Sequence, residues 1–127
     1  MKYLVTGGAG FIGSHIIERL LEENEEVACL DSFDPYYDPE SKHENITPFL
    51  KNENFELIRG DVTDEGIVEK AIKEADYVIH EAAQAGVRVS VENPFKSYEV
   101  NTTGTLNILR ASLNSNVKKI VFASSSS

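Results

Sequence analysis

Thr6-Gly7-Gly8-Ala9-Gly10-Phe11-Ile12-Gly13 spaces glycines at positions 7, 10 and 13, and Asp31 follows 18 residues after the last of them. The chemistry open to such a set is the binding of a pyrophosphate and a ribose. Gly7 permits a sharp exit from a strand, Gly10 lets backbone approach phosphate with no Cβ in the way, and Gly13 lets the next helix pack close to the sheet. Phe11 and Ile12 open that helix, whose positive dipole end attracts an anion. A carboxylate at Asp31, with Ser32 beside it, accepts hydrogen bonds from adenosine ribose hydroxyls and repels the extra phosphate of NADP, so the pattern favours NAD. A glycine-rich turn with no ligand is the plainer reading. Its place between a strand and a strongly amphipathic helix weighs against that.

The elements that must hold these residues alternate in period. Lys2 to Thr6, Glu26 to Asp31, Phe55 to Arg59, Asp76 to His80 and Lys118 to Ala123 read as short buried strands. From Phe11, apolar residues at 11, 12, 16, 17, 20 and 21 form a helical stripe. Glu65 to Ala75 repeats the pattern with Ile67, Val68, Ala71 and Ile72, capped by Thr63 or Asp64. Pro94 behind Asn93 opens a third helix, carrying Phe95, Tyr98, Leu106, Leu109 and Leu113, with Asn114 or Asn116 to end it. Such alternation predicts a doubly wound α/β domain, a parallel sheet covered on both faces. Residues 32–54 break the rhythm and read as a long loop with a short helix near Ile46 to Leu50.

Composition bounds the function. The chain has 127 residues, 41% hydrophobic and 26% charged, enough for one globular domain spanning 1–127. A net charge of -9 argues against nucleic acid or an anionic membrane as partner, since both reward excess Lys and Arg. No apolar run approaches the roughly 20 residues of a membrane span, and no signal peptide is expected. Cys29 reads as a small buried hydrophobe of a cytoplasmic protein rather than a reactive thiol. The three histidines and one cysteine lack metal-ligand spacing, so no metal is expected. His80 reads as a satisfied structural histidine, and Glu22, Glu23, Glu25 and Glu26 as a solvated helix end. Loop packing suffices to explain Tyr36 and Tyr37, although they could also cover the cofactor or shape a subunit interface.

With these residues in view, the chain resembles the extended short-chain dehydrogenase/reductases, and within them the nucleotide-sugar 4-epimerases acting on UDP-glucose or UDP-glucuronate. The landmarks are the glycine loop, Asp31, Gly60-Asp61-Val62, His80-Glu81-Ala82-Ala83-Gln84 and Asn101-Thr102-Thr103-Gly104-Thr105. The resemblance implies a Rossmann-type sheet of order about 3-2-1-4-5, with NAD as cofactor. It implies that Asp61 and Val62 hold adenine, that Ala82, Ala83 and Gln84 line the diphosphate and nicotinamide side, and that Asn101 braces the central sheet. A turn carboxylate and a helix cap are the plain readings of Asp61 and Asn101. The matching position for a hydroxyl that bonds the sugar is Ser125.

The stretch Gln84-Ala85-Gly86-Val87-Arg88, then Ser90 and Glu92-Asn93-Pro94, is similar to the UDP-glucuronate branch. There Gln84 and Arg88 are candidate substrate contacts, although a surface ion pair is the commoner role for an arginine. Three serines at 125–127 replace the acids of sugar dehydratases, which argues against elimination chemistry. The family's catalytic Tyr-x-x-x-Lys is not found, since none of the five tyrosines has a lysine four residues on. The resemblance therefore implies the N-terminal part of a homodimeric isomerase, its catalytic and substrate-binding portion lying beyond these residues and this stretch inactive by itself. Alternatives are a non-catalytic dinucleotide module, a short NAD-sensing regulator, or the cofactor half of a related UDP-sugar decarboxylase or reductase.

Overall fold

The computed structural model describes residues 1–35 and 39–124. Five strands, β1 (Lys2–Thr6), β2 (Glu26–Asp31), β3 (Phe55–Arg59), β4 (Tyr77–His80) and β5 (Lys119–Phe122), form one sheet of order β3-β2-β1-β4-β5. Every pairing is parallel, and the register places Thr6 opposite both Leu30 and His80. The strand order and the Rossmann-type architecture are those the sequence predicts.

Near-continuous burial of β2 requires cover on both faces, and the core divides accordingly. On one face Leu4, Leu30 and Val78 of the sheet pack with Val68 and Ile72 of α3 (Glu65–Ile72) and Ile108 of α6 (Gly104–Leu113). On the other, Val5, Val27 and Cys29 of the sheet pack with Ile17 and Leu21 of α1 (Phe11–Glu22). Asp64 caps α3, its side chain accepting from the Ile67 N–H at 3.3 Å, which settles the choice between Thr63 and Asp64. Asn93 caps α5 (Pro94–Tyr98) by accepting from the Lys96 N–H at 3.3 Å.

Three local features differ from the sequence expectation. The short helix after β2, α2, starts earlier, at Pro39–Ile46, and a 3₁₀ turn follows at Thr47–Phe49. An unexpected helix, α4, occupies Val87–Glu92. The helix from Pro94 is not uniform: a π-helical turn, Glu99–Thr103, separates α5 from α6. Its apolar residues Phe95, Tyr98, Leu106, Leu109 and Leu113 are exposed rather than turned onto the sheet.

Candidate functional site

A cleft of about 430 Å³ opens at the carboxyl ends of β1, β2, β3 and β4, the edge at which open parallel sheets bind ligands. Gly7, Gly10, Phe11, Ile12 and Gly13 form one wall, Asp31 and Ser32 one end, Asp61 and Val62 a second side, and Ala82, Ala83 and Gln84 the opposite lip. The fold thus brings together all but three of the residues that the motifs single out. Of those, Asn101 acts from behind the lip, Arg88 lies elsewhere, and Ser125 falls outside the described residues.

The glycine turn is sterically committed. Gly7 has φ +67°, and a Cβ there would lie 2.8 Å from the Ala82 nitrogen. A Cβ on Gly13 would meet the Gly7 carbonyl oxygen and would lie 2.7 Å from the Gly8 Cα, so α1 packs onto the turn with no space for a side chain. Gly10 is the helix N-cap, in extended conformation, and gives no side-chain cap; the first turn also carries no acid. The free N–H groups expected at a helix start are left without an internal anion, which is what a phosphate site needs.

Asp31 is more deeply engaged than the sequence implies. Its Oδ2 accepts from the Ala9 N–H at 3.0 Å, and its Oδ1 accepts from the Phe33 N–H at 2.7 Å and from Lys42 Nζ at 3.1 Å. The side chains of Lys42 and Asp31 are 12% and 2% exposed, so this is a buried ion pair. With four acceptor positions on a carboxylate and three donors in place, room remains for about one ribose hydroxyl. The pair is also charge-neutral, so rejection of a second phosphate rests less on bare carboxylate charge than the sequence suggests. Phe33 adopts left-handed φ of 57°, a costly geometry for a bulky residue. It is held there between His43, stacked at 4.6 Å, and the Arg59 guanidinium at 4.3 Å.

Lys42, Ser41 and Asn45 of α2 also line the cleft, and Asn45 Nδ2 donates to the Ala9 carbonyl at 2.9 Å. Sequence reasoning missed all three. The available signal was the i, i+3 spacing of Lys42 and Asn45 soon after Asp31. Asp61 Oδ1 accepts from the Thr63 N–H at 3.0 Å and its hydroxyl at 2.9 Å, so the turn reading of this carboxylate holds alongside its place in the cleft wall.

Gln84 is clamped through its backbone. Asn101 Oδ1 accepts from the Gln84 N–H at 2.7 Å while Asn101 Nδ2 donates to its carbonyl at 3.3 Å. Arg88 stands apart on the exposed side of α4, its Nε 3.1 Å from Glu92 Oε1, a surface ion pair. Glu81, also in the cleft, has its carboxyl pKa raised by burial. His80 is buried, and desolvation lowers its pKa to about 4, so the ring is neutral. Burial likewise raises the Cys29 thiol to about 12, with Asp31 adding to the effect, which makes it the inert hydrophobe expected. Among the described residues, no group of three or more His, Cys, Asp or Glu side chains is placed to hold a metal ion. No helix among them is long and apolar enough to cross a membrane.

Fold and cleft together define a Rossmann-type nucleotide-binding unit. More specifically, residues 3–127 match the NAD dependent epimerase/dehydratase family, and the chain belongs to it. A UDP-glucuronate 4-epimerase of Thermodesulfobacterium geofontis is 44% identical over 128 residues, covering 98% of this chain and 39% of the relative. A UDP-N-acetyl-alpha-D-glucosaminuronate decarboxylase of Bacillus cytotoxicus is 39% identical over 126 residues, covering 98% and 36%. Among solved structures, the UDP-glucuronic acid 4-epimerase of Bacillus cereus, in complex with UDP-glucuronic acid and NAD, superposes with a TM-score of 0.93 at 34% identity, covering 100% of this chain and 41% of that one. The chain thus spans about two fifths of the length of such proteins.

Proposed function

We propose that this chain is the NAD-binding half of a nucleotide-sugar 4-epimerase of the UDP-glucose or UDP-glucuronate type. The observation that carries the reading is the start of α1 behind the glycine turn, with neither a side-chain cap nor a first-turn acid, facing a cleft that ends at the Asp31–Lys42 pair. In this reading the Gly7 to Gly13 turn and the backbone of Phe11 and Ile12 hold the diphosphate, Asp31 and Ser32 take the adenosine ribose, and Asp61 and Val62 receive the adenine. Ala82, Ala83 and Gln84 border the nicotinamide, with Asn101 fixing Gln84 from behind. When bound, NAD supplies the redox chemistry for transient oxidation at sugar C4. Ser125 holds a sugar hydroxyl, and Arg88 reaches an anionic sugar only by leaving Glu92.

Inversion at C4 needs a proton-transferring group at the sugar oxygen. No tyrosine of these 127 residues has the lysine partner that the family motif supplies. This supports the second reading for the chain taken alone, a dinucleotide-binding module without turnover. Decarboxylases share the same cofactor half, and it is the UDP-glucuronate-like stretch from Gln84 to Pro94 that favours epimerisation. A homodimer fits the exposed apolar residues of α5 and α6, and a cytoplasmic setting fits the buried, unpaired Cys29 thiol.

Calorimetric titration with NAD, NADP and UDP-glucuronate tests the reading, with Gly10→Ala as control. Gly10 has φ -74° and ψ 178°, which alanine adopts freely, and a new Cβ would meet only the Gly7 oxygen at 3.2 Å. The variant is expected to fold with an unchanged melting temperature and to bind NAD about tenfold more weakly, roughly 1.4 kcal/mol. Equal NAD affinity in the two proteins, or none in folded wild type, would overturn the assignment of the glycine turn.

A further inference from the structure

Thr6, at the end of β1, lies beside His80, at the end of β4. Thr6 Oγ1 accepts from the Ala82 N–H and from the Glu81 N–H, both at 3.1 Å, the latter shared with the Thr6 carbonyl at 3.1 Å, and these two donors occupy its lone pairs. Its own proton is therefore directed to His80 Nδ1, 2.6 Å away. That makes Nδ1 an acceptor and places the ring proton on Nε2, which donates to Thr105 Oγ1 at 3.0 Å. Thr105 passes the direction on, its hydroxyl donating to the Asn101 carbonyl at 2.7 Å. Asn101 in turn grips the Gln84 backbone with both ends of its amide.

The consequence is a closed circuit around the cleft lip. Residues 81 and 82 are held by Thr6, residue 84 is held by Asn101, and one imidazole joins the two holders. The π-helical turn coincides with the circuit: Asn101 lies within it and Thr105 bonds back across its end. Such single π-helical turns within a helix are frequent at functional sites.

We propose that His80 is a positioning residue for the dinucleotide: through Thr6 and through Thr105–Asn101 it sets where Ala82, Ala83 and Gln84 stand in the cleft. This inference rests on the cofactor-site reading above. It assigns to the circuit the nicotinamide side of the ligand and not the adenosine end, which Asp31, Lys42 and the glycine turn build without it. Thr105→Val removes one hydroxyl on the rim of the circuit with little change in shape, so it spares the buried core that His80→Phe would disturb.

The test is titration of wild type, Thr105→Val and Thr105→Ser with NAD and with ADP. Thr105→Val is expected to lose NAD affinity at least fivefold while ADP affinity stays within twofold, and Thr105→Ser to restore NAD binding. Long-range ¹H–¹⁵N NMR of wild type should show the His80 proton on Nε2. Equal losses for both ligands, no loss for either, or a proton on Nδ1 would each overturn the inference. Folded wild type that binds ADP and NAD equally well would overturn it too, while leaving the phosphate site standing. Wild type that binds neither ligand would remove the cofactor reading and this inference with it.

Discussion

Single residues in this chain do opposite things with burial. Cys29 is silenced by it, whereas His80 is held neutral so that both ring nitrogens can serve threonine hydroxyls. Folded His80 titrates near pH 4 and an unfolded histidine near 6.5. Below pH 6.5 the unfolded chain therefore gains a proton that the folded chain refuses, and stability falls as pH drops towards about 4, by up to roughly 3 kcal/mol. Glu81 works the other way, because its raised carboxyl pKa favours the folded state as pH falls. The informative quantity is thus the difference between wild type and His80→Gln in urea denaturation from pH 7.5 to 4.5. Wild type is expected to lose stability more steeply, and parallel profiles would count against a neutral buried imidazole.

Among elements, legibility followed burial. The strands were readable because Val27 to Leu30 or Tyr77 to Ile79 are continuous apolar runs, and α1 and α3 because their buried residues recur at helical spacing. Helix α2 buries only Ile46 and α4 buries nothing, so neither writes a stripe into the sequence. The missed part of the site has the same cause: Lys42 and Asn45 sit on α2, and their partners Asp31 and Ala9 are remote in sequence. The glycine turn and Asp31 were legible since backbone geometry and charge restrict residue type at those positions, whereas nothing local announced that Asp31 is paired. The pair itself is testable. Lys42→Met leaves a buried carboxylate without its cation and should cost about 3 kcal/mol in urea denaturation. Adding Asp31→Asn should recover most of that loss, because the uncompensated charge is gone. Independent, additive effects of the two changes would mean that the lysine contributes nothing to holding Asp31.

For the molecule as a whole, the unmatched surfaces matter most. β5 is the edge of the described sheet, with Val121 and Phe122 about half exposed, and Phe95, Leu106 and Leu113 stand out from α5 and α6. An open edge strand beside apolar patches is a template for association. The chain is expected to self-associate at tens of micromolar in analytical ultracentrifugation despite its net charge of -9. A single monomeric species across the concentration range would show that the charge keeps copies apart.

The strand order has a consequence for biosynthesis. β1 lies at the centre of the sheet between β2 and β4, yet 49 residues separate the end of β2 at Asp31 from the end of β4 at His80. On a ribosome adding about 5–20 residues each second, the nascent chain must wait roughly 2 to 10 s with one side of its central strand unpaired. Thr6 has no imidazole to donate to during that interval, and the cleft has only one of its walls. The phosphate turn is thus made early and completed late, and a nascent-chain pulldown with immobilised NAD should capture products efficiently only after residue 105 has cleared the exit tunnel.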